Sequence, residues 1–182
     1  VVLFNRIQTD PNLNAVCADN YGGSKLVADR FRTAGHHRIC FVGGLARTST
    51  HLERRRGFID GLVSCEVIEV SGDFEYQTAR RAVDEVLKAS TPPTAVFCAN
   101  DLMAFAAIDA AKSLGIAPGS DIDVVGYDDV PMASWSSYKL TTVSQQIDAL
   151  VDETLHLIKS LTPLSEGQIR VVPAKLIARK SG

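Results

Sequence analysis

Short apolar segments alternate with stretches of helical periodicity along almost the whole chain, and this alternation restricts the possible folds more than any other feature. Segments such as 15–18 and 95–99 have the length and composition of buried strands. Between such segments, apolar side chains recur at helical spacing, as at Leu26, Val27, Phe31 and Ala34. Strands separated by helices favour right-handed crossovers and a mostly parallel sheet. The sequence therefore predicts an α/β fold.

The same pattern predicts the individual elements. The predicted strands are residues 1–4, 15–18, 38–42, 67–70, 95–99, 121–127, 140–143 and 169–178. The predicted helices are residues 20–34, 51–63, 75–89, 101–114 and 146–161. Residues 128–140 show no period and include Pro131, so we predict a structured loop there.

Composition and charge narrow the class of protein. With 46% hydrophobic and 22% charged residues, the 182-residue chain has an ordinary globular composition, and no apolar run approaches the ~20 residues of a membrane span. The net charge is −2, whereas nucleic-acid-binding domains usually carry a basic excess. We therefore expect these residues to contact neither DNA nor a membrane. The chain opens at Val1 inside an apolar run, so we expect it to be part of a longer protein.

The spacing of the cysteines indicates a reducing compartment, and the absence of catalytic sequence motifs argues against an enzyme. The four cysteines form no C-x-x-C pair, and their gaps are too long for a zinc clip. Cys40 and Cys98 lie within predicted buried strands, where a free thiol behaves as a small hydrophobe, so we predict a cytoplasmic protein. G-x-G-x-x-G, P-loop and G-x-S-x-G motifs are absent. We predict no catalytic residues, no metal site and no cofactor.

Polar side chains follow several predicted strands at the point where each strand ends. Asn5 and Arg6 follow the first strand, Asn100 follows the strand at 95–99, and Asp128 follows the strand at 121–127. In an open parallel sheet, ligands bind beyond these carboxyl ends. Asn and Asp offer donors and acceptors to vicinal hydroxyls, and arginine offers a planar fork of donors. This edge therefore predicts a site for a polyhydroxylated ligand.

Each of these positions also has a purely structural interpretation. Asn100 fits a helix N-cap and Asp128 fits a turn. Phe74 fits the core, and the arginines at 54–56 fit a solvated helix face. The ligand-site interpretation depends on the agreement of these positions at one edge of the sheet.

An ordered series of motifs resembles a known protein family. The series comprises VVLFNR at 1–6, VCADN at 16–20, GHHRI at 35–39, RRRGF at 54–58, PTAVFCAND at 93–101, VVGYDD at 124–129 and LTTV at 140–143. In this order the motifs resemble the effector-binding part of the lactose/galactose repressor family of bacterial transcription regulators. The resemblance covers essentially the whole chain.

This resemblance implies a fold of the periplasmic-binding-protein type, in which two α/β lobes hold a small-molecule effector in the cleft between them. Residues 1–17 and 144–170 would form an incomplete first lobe, and residues 18–143 and 171–182 a second lobe. The resemblance also implies a homodimer and an effector that is a sugar, nucleoside or purine. Operator DNA would be bound by a helix-turn-helix domain upstream of Val1.

Carried over position by position, the resemblance implies that an arginine, a carboxylate and an amide hold the effector. The implied effector-binding residues are Asn5, Thr50, Arg54, Phe74, Asn100 and Asp128. We expect Arg54→Ala to abolish effector binding and to leave the fold intact. A periplasmic sugar-binding receptor of an uptake transporter, built on the same fold, is the alternative function, and an α/β enzyme is a third.

Overall fold

The computed structural model describes residues 1–5, 12–161 and 167–182, so Arg6 lies outside the described residues. The strands are β1 (Val2–Phe4), β2 (Asn14–Ala18), β3 (Arg38–Gly43), β4 (Glu66–Ser71), β5 (Ala95–Cys98), β6 (Asp123–Asp128), β7 (Thr141–Ser144), β8 (Ile169–Val172) and β9 (Lys175–Ile177). The helices are α1 (Asn20–Thr33), α2 (Ser49–Gly61), α3 (Tyr76–Leu87), α4 (Asp101–Ser113) and α5 (Ile147–Ser160).

These strands form two sheets. A three-stranded sheet has the order β1-β2-β8, and a six-stranded sheet has the order β4-β3-β5-β6-β7-β9. Neighbouring strands are parallel, except that β7 and β9 are antiparallel. In the six-stranded sheet, helices α2, α3 and α4 connect successive parallel strands, as the alternating pattern predicts. The predicted α/β class is confirmed.

Polar caps and glycines set the ends of several helices. Asp19 accepts a hydrogen bond from the backbone N–H of Gly22 at 2.7 Å, which satisfies a donor that the first turn of α1 leaves free. Thr48 caps α2 in the same way, and its hydroxyl oxygen accepts from the N–H of His51. Gly35 follows α1 with φ of +81°, a conformation that glycine adopts without steric cost.

Two apolar cores of unequal size hold the elements together. The larger core packs the helices against the six-stranded sheet, and the rings of Phe41, Phe58 and Phe97 meet there. The Phe58 and Phe97 ring centroids are 4.8 Å apart, and burial of one such side chain stabilises the fold by about 1.5–3 kcal/mol. The smaller core joins α5 to the three-stranded sheet through Val16, Ala18, Leu150, Leu157 and Val172.

The structure corrects two details of the predicted elements. The single extended segment predicted at 169–178 is two strands in different sheets, because β8 pairs with β2 while β9 pairs with β7. Pro173 lies between them and has no N–H with which to continue a ladder. The predicted loop at 128–140 contains a 3-10 helix over Pro131–Ser134.

Strand pairing also shows where the chain passes from one sheet to the other. The passages lie between β2 and α1, between β7 and α5, and between β8 and β9. Ala18, Val171 and Val172 pair within the three-stranded sheet, although the predicted lobe division gave them to the second lobe. Within the described ranges, no helix combines the length and the apolar character needed to cross a membrane.

Candidate functional site

The carboxyl ends of strands from both sheets converge on a small group of polar side chains. Asn5 directly follows β1 of the three-stranded sheet. Asp128 ends β6 of the six-stranded sheet, and Gln145 directly follows the neighbouring strand β7. Because β6 and β7 run parallel, their carboxyl ends share one edge of the six-stranded sheet, where open α/β sheets bind ligands. A hydrogen bond between Asn5 and Gln145 brings the end of β1 to the same edge.

Arg54 is the most buried charged side chain of this group, with 3% of its surface exposed. Its Nε donates a hydrogen bond to Asn20 Oδ1 at 2.8 Å, and its Nη1 donates to the carbonyl oxygen of Ala99 at 2.5 Å. Its Nη2 lies 3.2 Å from Asp128 Oδ1. The guanidinium also lies over the Tyr127 ring, 3.7 Å from its centroid, a cation–π contact. The solvated-face interpretation therefore does not hold for Arg54.

Gln145 joins the two sheets through its side-chain amide. Asn5 Nδ2 donates a hydrogen bond to Gln145 Oε1 at 2.6 Å, and Gln145 Nε2 donates to Asp128 Oδ1 at 2.6 Å. Gln145 is 6% exposed. Our sequence prediction of site residues missed it. The signal that could have found Gln145 is its place two residues after the predicted strand at 140–143, by the same edge rule that selected Asp128.

Asp128 is held by charge and hydrogen bonds against the cost of its burial. Burial raises the pKa of the Asp128 carboxyl, whereas the positive charge of Arg54 and the hydrogen bonds from Gln145 and Arg54 act to lower that pKa. The backbone of Asp128 has φ of +119° and that of Asp129 has φ of +56°. Non-glycine residues in such conformations are uncommon, cost free energy and cluster at functional sites.

Asn100 lies beside this group and caps a helix. Its Oδ1 accepts a hydrogen bond from the N–H of Met103 at 2.9 Å, so the structural interpretation of Asn100 describes its observed contact. The next residue, Asp101, is fully buried. Its carboxylate accepts hydrogen bonds from the Thr142 hydroxyl at 2.5 Å and from the Val130 N–H at 2.9 Å. Burial raises the pKa of Asp101 to about 7, although both hydrogen bonds oppose the rise. Asp101 is not among the implied effector-binding residues.

Thr50 lies in α2 and Phe74 lies in the loop after β4, so both are separate from the Arg54–Asp128 pair. The Phe74 ring packs over Gly44, where an added Cβ would lie 2.0 Å from Phe74 Cζ. Thr50 lies in the first turn of α2, and its hydroxyl lies 3.5 Å from that of Thr48. The structure therefore joins Asn5, Arg54 and Asp128 in one network with Asn100 beside it. The effector-binding roles of all six implied residues stay predictions.

A cavity of about 420 Å³ adjoins Asp128, within the range of small-molecule sites. It is lined by Asp128, Asp129, Ser144, Gln146, Ile147, Asp148 and Ala149. These residues come from the ends of β6 and β7 and from the start of α5, which packs on the three-stranded sheet. Arg54 and Asn100 lie outside this lining, so Asp128 is the residue that connects the cavity to the polar network.

The described residues were also compared with the requirements of a metal site and of a disulfide. Among residues 1–5, 12–161 and 167–182, no cluster of three or more His, Cys, Asp or Glu side chains could hold a metal ion. Cys17, Cys40, Cys65 and Cys98 are free thiols. Burial raises the pKa of Cys40 to about 12 and raises that of Cys98 as well, so both are protonated at neutral pH.

Comparison with known proteins identifies the family to which this fold belongs. The family model described as "Periplasmic binding protein-like domain" matches residues 28–182. The chain belongs to this family. The periplasmic binding protein-like fold predicted from the ordered motifs is confirmed, and so is the resemblance to the lactose/galactose repressor family.

Three proteins illustrate what this periplasmic binding protein-like chain is similar to. An HTH-type transcriptional repressor PurR from Serratia proteamaculans is 33% identical over 180 residues, which cover 95% of this chain and 52% of the repressor. The transcriptional regulator CelR in complex with cellobiose is 29% identical with a TM-score of 0.89, over 100% of this chain and 58% of that one. A dimeric Lac repressor is 26% identical with a TM-score of 0.86, and the match covers 99% of this chain and 67% of the repressor chain. The chain spans about half the length of the curated relative.

Proposed function

We propose that this chain is the effector-binding part of a bacterial transcriptional repressor and that it binds a sugar-like molecule between its two sheets. The observation that supports this most directly is the side-chain network from Asn5 through Gln145 to Asp128 and Arg54. This network connects the three-stranded sheet to the six-stranded sheet beside a cavity of about 420 Å³.

The chemistry of the site favours a ligand with several hydroxyl groups. A carboxylate accepts hydrogen bonds from vicinal hydroxyls, and buried amides orient a polar ligand by offering both a donor and an acceptor. The implied effector-binding residues are Asn5, Thr50, Arg54, Phe74, Asn100 and Asp128. The similar regulator CelR binds cellobiose, which supports a sugar as the class of ligand.

The proposed mechanism is a population shift between two arrangements of the lobes. The first lobe of this mechanism comprises residues 1–17 and 144–170, extended by Ala18, Val171 and Val172, which pair within the three-stranded sheet. The second lobe comprises the rest of residues 18–143 and 171–182. A ligand that contacts both lobes favours the closed arrangement in proportion to its differential affinity. In a dimer of the whole protein, closure changes the spacing of two operator-binding domains and hence operator affinity. The similar Lac repressor is dimeric, which supports a homodimer.

This function places the protein in the cytoplasm, where operator DNA is, and involves no substrate turnover. The alternative, a periplasmic receptor of an uptake transporter, has the same fold. It is less well supported, because the similar proteins are named as repressors or transcriptional regulators.

A calorimetric titration with ribose, galactose and cellobiose tests the proposal. We expect at least one of these sugars to bind and to raise the melting temperature of the protein. Asp128→Asn should weaken that binding about 10-fold to 100-fold, because a hydrogen bond to a charged group contributes about 1.5–3 kcal/mol. Asp152→Asn, on the exposed face of α5, is the matched control and should leave affinity unchanged. Absence of binding by all three sugars, or unchanged affinity in Asp128→Asn, would contradict the proposal.

A further inference from the structure

Gln145 uses both ends of its amide, one toward each sheet. Its Oε1 accepts from Asn5 Nδ2 and its Nε2 donates to Asp128 Oδ1, each at 2.6 Å. An amide is the only uncharged side-chain group that presents a carbonyl acceptor and an NH₂ donor in one plane. Since the side chain is 6% exposed, water competes little for either bond.

Both partners of Gln145 are anchored to their own sheets. The backbone N–H of Asn5 donates to the carbonyl oxygen of Val16 in β2 at 2.7 Å, and Asn5 Oδ1 accepts from the N–H of Ala18 at 3.4 Å. Asp128 is fixed to the six-stranded sheet by its position in β6 and by Arg54. A displacement of either anchor therefore changes a hydrogen bond of Gln145.

The two groups that hold Asp128 use the same carboxylate oxygen. Gln145 Nε2 and Arg54 Nη2 both approach Oδ1, at 2.6 and 3.2 Å. Neither of these two contacts uses the other carboxylate oxygen, Oδ2. Two contacts on one oxygen fix the plane of the carboxylate and leave the other oxygen available beside the cavity that Asp128 lines.

We propose that Gln145 is a positioning residue: it orients Asp128 so that Oδ2 can accept from a ligand hydroxyl, and it transmits the state of Asp128 to Asn5 and the three-stranded sheet. This inference rests on the proposed function for the identity of the ligand. The coupling between Asn5 and Asp128 is a property of the ligand-free protein and is tested without a ligand.

The ligand-free test is a double-mutant cycle on the unfolding equilibrium, with Asn5→Ala and Asp128→Ala, in the natural protein and in Gln145→Met. With Gln145 present, we expect the effects of the two substitutions to be non-additive by about threefold or more in the equilibrium constant, because the residues share one network. In the Gln145→Met background, which keeps the side-chain length but removes both bonds, the effects should be additive. Additive effects with Gln145 present would overturn the proposal whether or not any sugar binds.

The ligand test uses the sugar from the ribose, galactose and cellobiose panel that binds the natural protein. Gln145→Glu puts a second carboxylate against Asp128 at pH 7.5, and we expect affinity to fall at least tenfold. At pH 5 a part of the introduced carboxylate regains a proton that it can donate to Asp128, so the affinity of this variant should recover relative to the natural protein at the same pH. Gln77→Glu, on the exposed face of α3, should follow the natural protein at both pH values.

The two experiments separate failure of this inference from failure of the proposed function. If no sugar binds, the proposed function fails and the double-mutant cycle still decides whether Gln145 couples Asn5 to Asp128. If a sugar binds and Gln145→Glu keeps natural affinity at pH 7.5, the positioning role is wrong while the sugar site stands. Should Gln145→Glu not fold, as judged by circular dichroism, the uncharged Gln145→Met replaces it, and unchanged sugar affinity in that variant overturns the role.

Discussion

At the residue scale, Arg54 has a structural function in addition to its proposed contact with the ligand. The side chain supplies donors to Asn20, Ala99 and Asp128 from a position that is 3% exposed. From sequence alone we expected Arg54→Ala to abolish effector binding and to leave the fold intact. The observed contacts revise that expectation, because removal of one partner of a buried ion pair leaves the other charge uncompensated.

We therefore predict that Arg54→Met lowers the free energy of unfolding by about 3–5 kcal/mol, as measured by urea denaturation. The methionine fills part of the space but donates no hydrogen bond to Asp128, Ala99 or Asn20. Arg80→Met, at a surface position of α3 where the guanidinium contacts Ser113, is the matched control and should change stability by less than about 1 kcal/mol. A variant at position 54 as stable as the control would show that the three contacts contribute little.

Asp101 gives the protein a pH-dependent stability. Its pKa in the folded state is raised from 3.8 to about 7, chiefly by burial and further by the charges of Asp128 and Asp129. A carboxyl with a raised folded-state pKa contributes stability when protonated, and this contribution is lost as pH rises from about 4 through 7. At about 1.4 kcal/mol for each pKa unit, the full change is on the order of 4 kcal/mol.

We expect the unfolding free energy of the natural protein to decline between pH 5 and pH 8, and this decline to be smaller in Asp101→Asn. The asparagine does not titrate, so the pH slope distinguishes its effect from a general loss of stability. Asp84→Asn, which removes a surface ion pair with Lys88, should retain the natural slope. Equal slopes in Asp101→Asn and the natural protein would exclude Asp101 as the titrating group.

At the scale of elements, the contact between α1 and α2 depends on a glycine. A Cβ added to Gly57 would lie 2.1 Å from the carbonyl oxygen of Tyr21, which belongs to the α1 backbone and cannot rotate away. Gly57 lies one turn after Arg54 on α2. A forced separation of the two helices would therefore also displace the guanidinium from Asp128.

We predict that Gly57→Ala destabilises the protein by about 1–3 kcal/mol, although alanine in a helix interior is intrinsically favoured over glycine by about 1 kcal/mol. Urea denaturation measures the change. Leu52→Ala, at an exposed position of the same helix, controls for effects of helix propensity and should be nearly neutral. A stabilised Gly57→Ala variant would mean that α1 and α2 separate at no cost.

The elements themselves were largely predictable, because periodicity reports which faces are buried. The predicted start of α4 agrees with the structure and that of α5 lies within one residue of it, since Asn100 is a cap and Ile147 opens a clear apolar period. The segment at 169–178 was predictable as extended, but not as two strands. Which sheet a strand joins depends on its hydrogen-bond partners, and β8 finds its partner more than 150 residues earlier in the chain.

At the scale of the whole molecule, one side of α5 is about half exposed in the part of the chain that the structure describes. Leu150 and Leu157 face the smaller core, whereas a second apolar stripe of the helix is about half exposed. This stripe consists of Ile147, Val151, Leu155 and Ile158. Contiguous exposed apolar surface favours association with other protein surfaces.

We predict that the 182-residue chain self-associates through this stripe, so that its mass by light scattering rises with concentration. Leu155→Lys combined with Ile158→Lys should reduce the association and change the unfolding free energy by about 0.5 kcal/mol or less per site, since both side chains are already half exposed. Val63→Lys, at an isolated exposed position, should leave the association unchanged. A mass independent of concentration in the natural chain would contradict the prediction.

The sequence by itself determined the α/β class, most element positions and the strand ends that carry Asn5, Asn100 and Asp128. It did so because strand and helix periods, caps and the residue types at strand ends are local properties. The tertiary structure decided that Arg54 is buried, that Asp101 has no exposure, and that Gln145 joins Asn5 to Asp128. Asn5 and Gln145 are 140 residues apart in the chain, and only the passage of the polypeptide between two sheets brings their amides within hydrogen-bond distance.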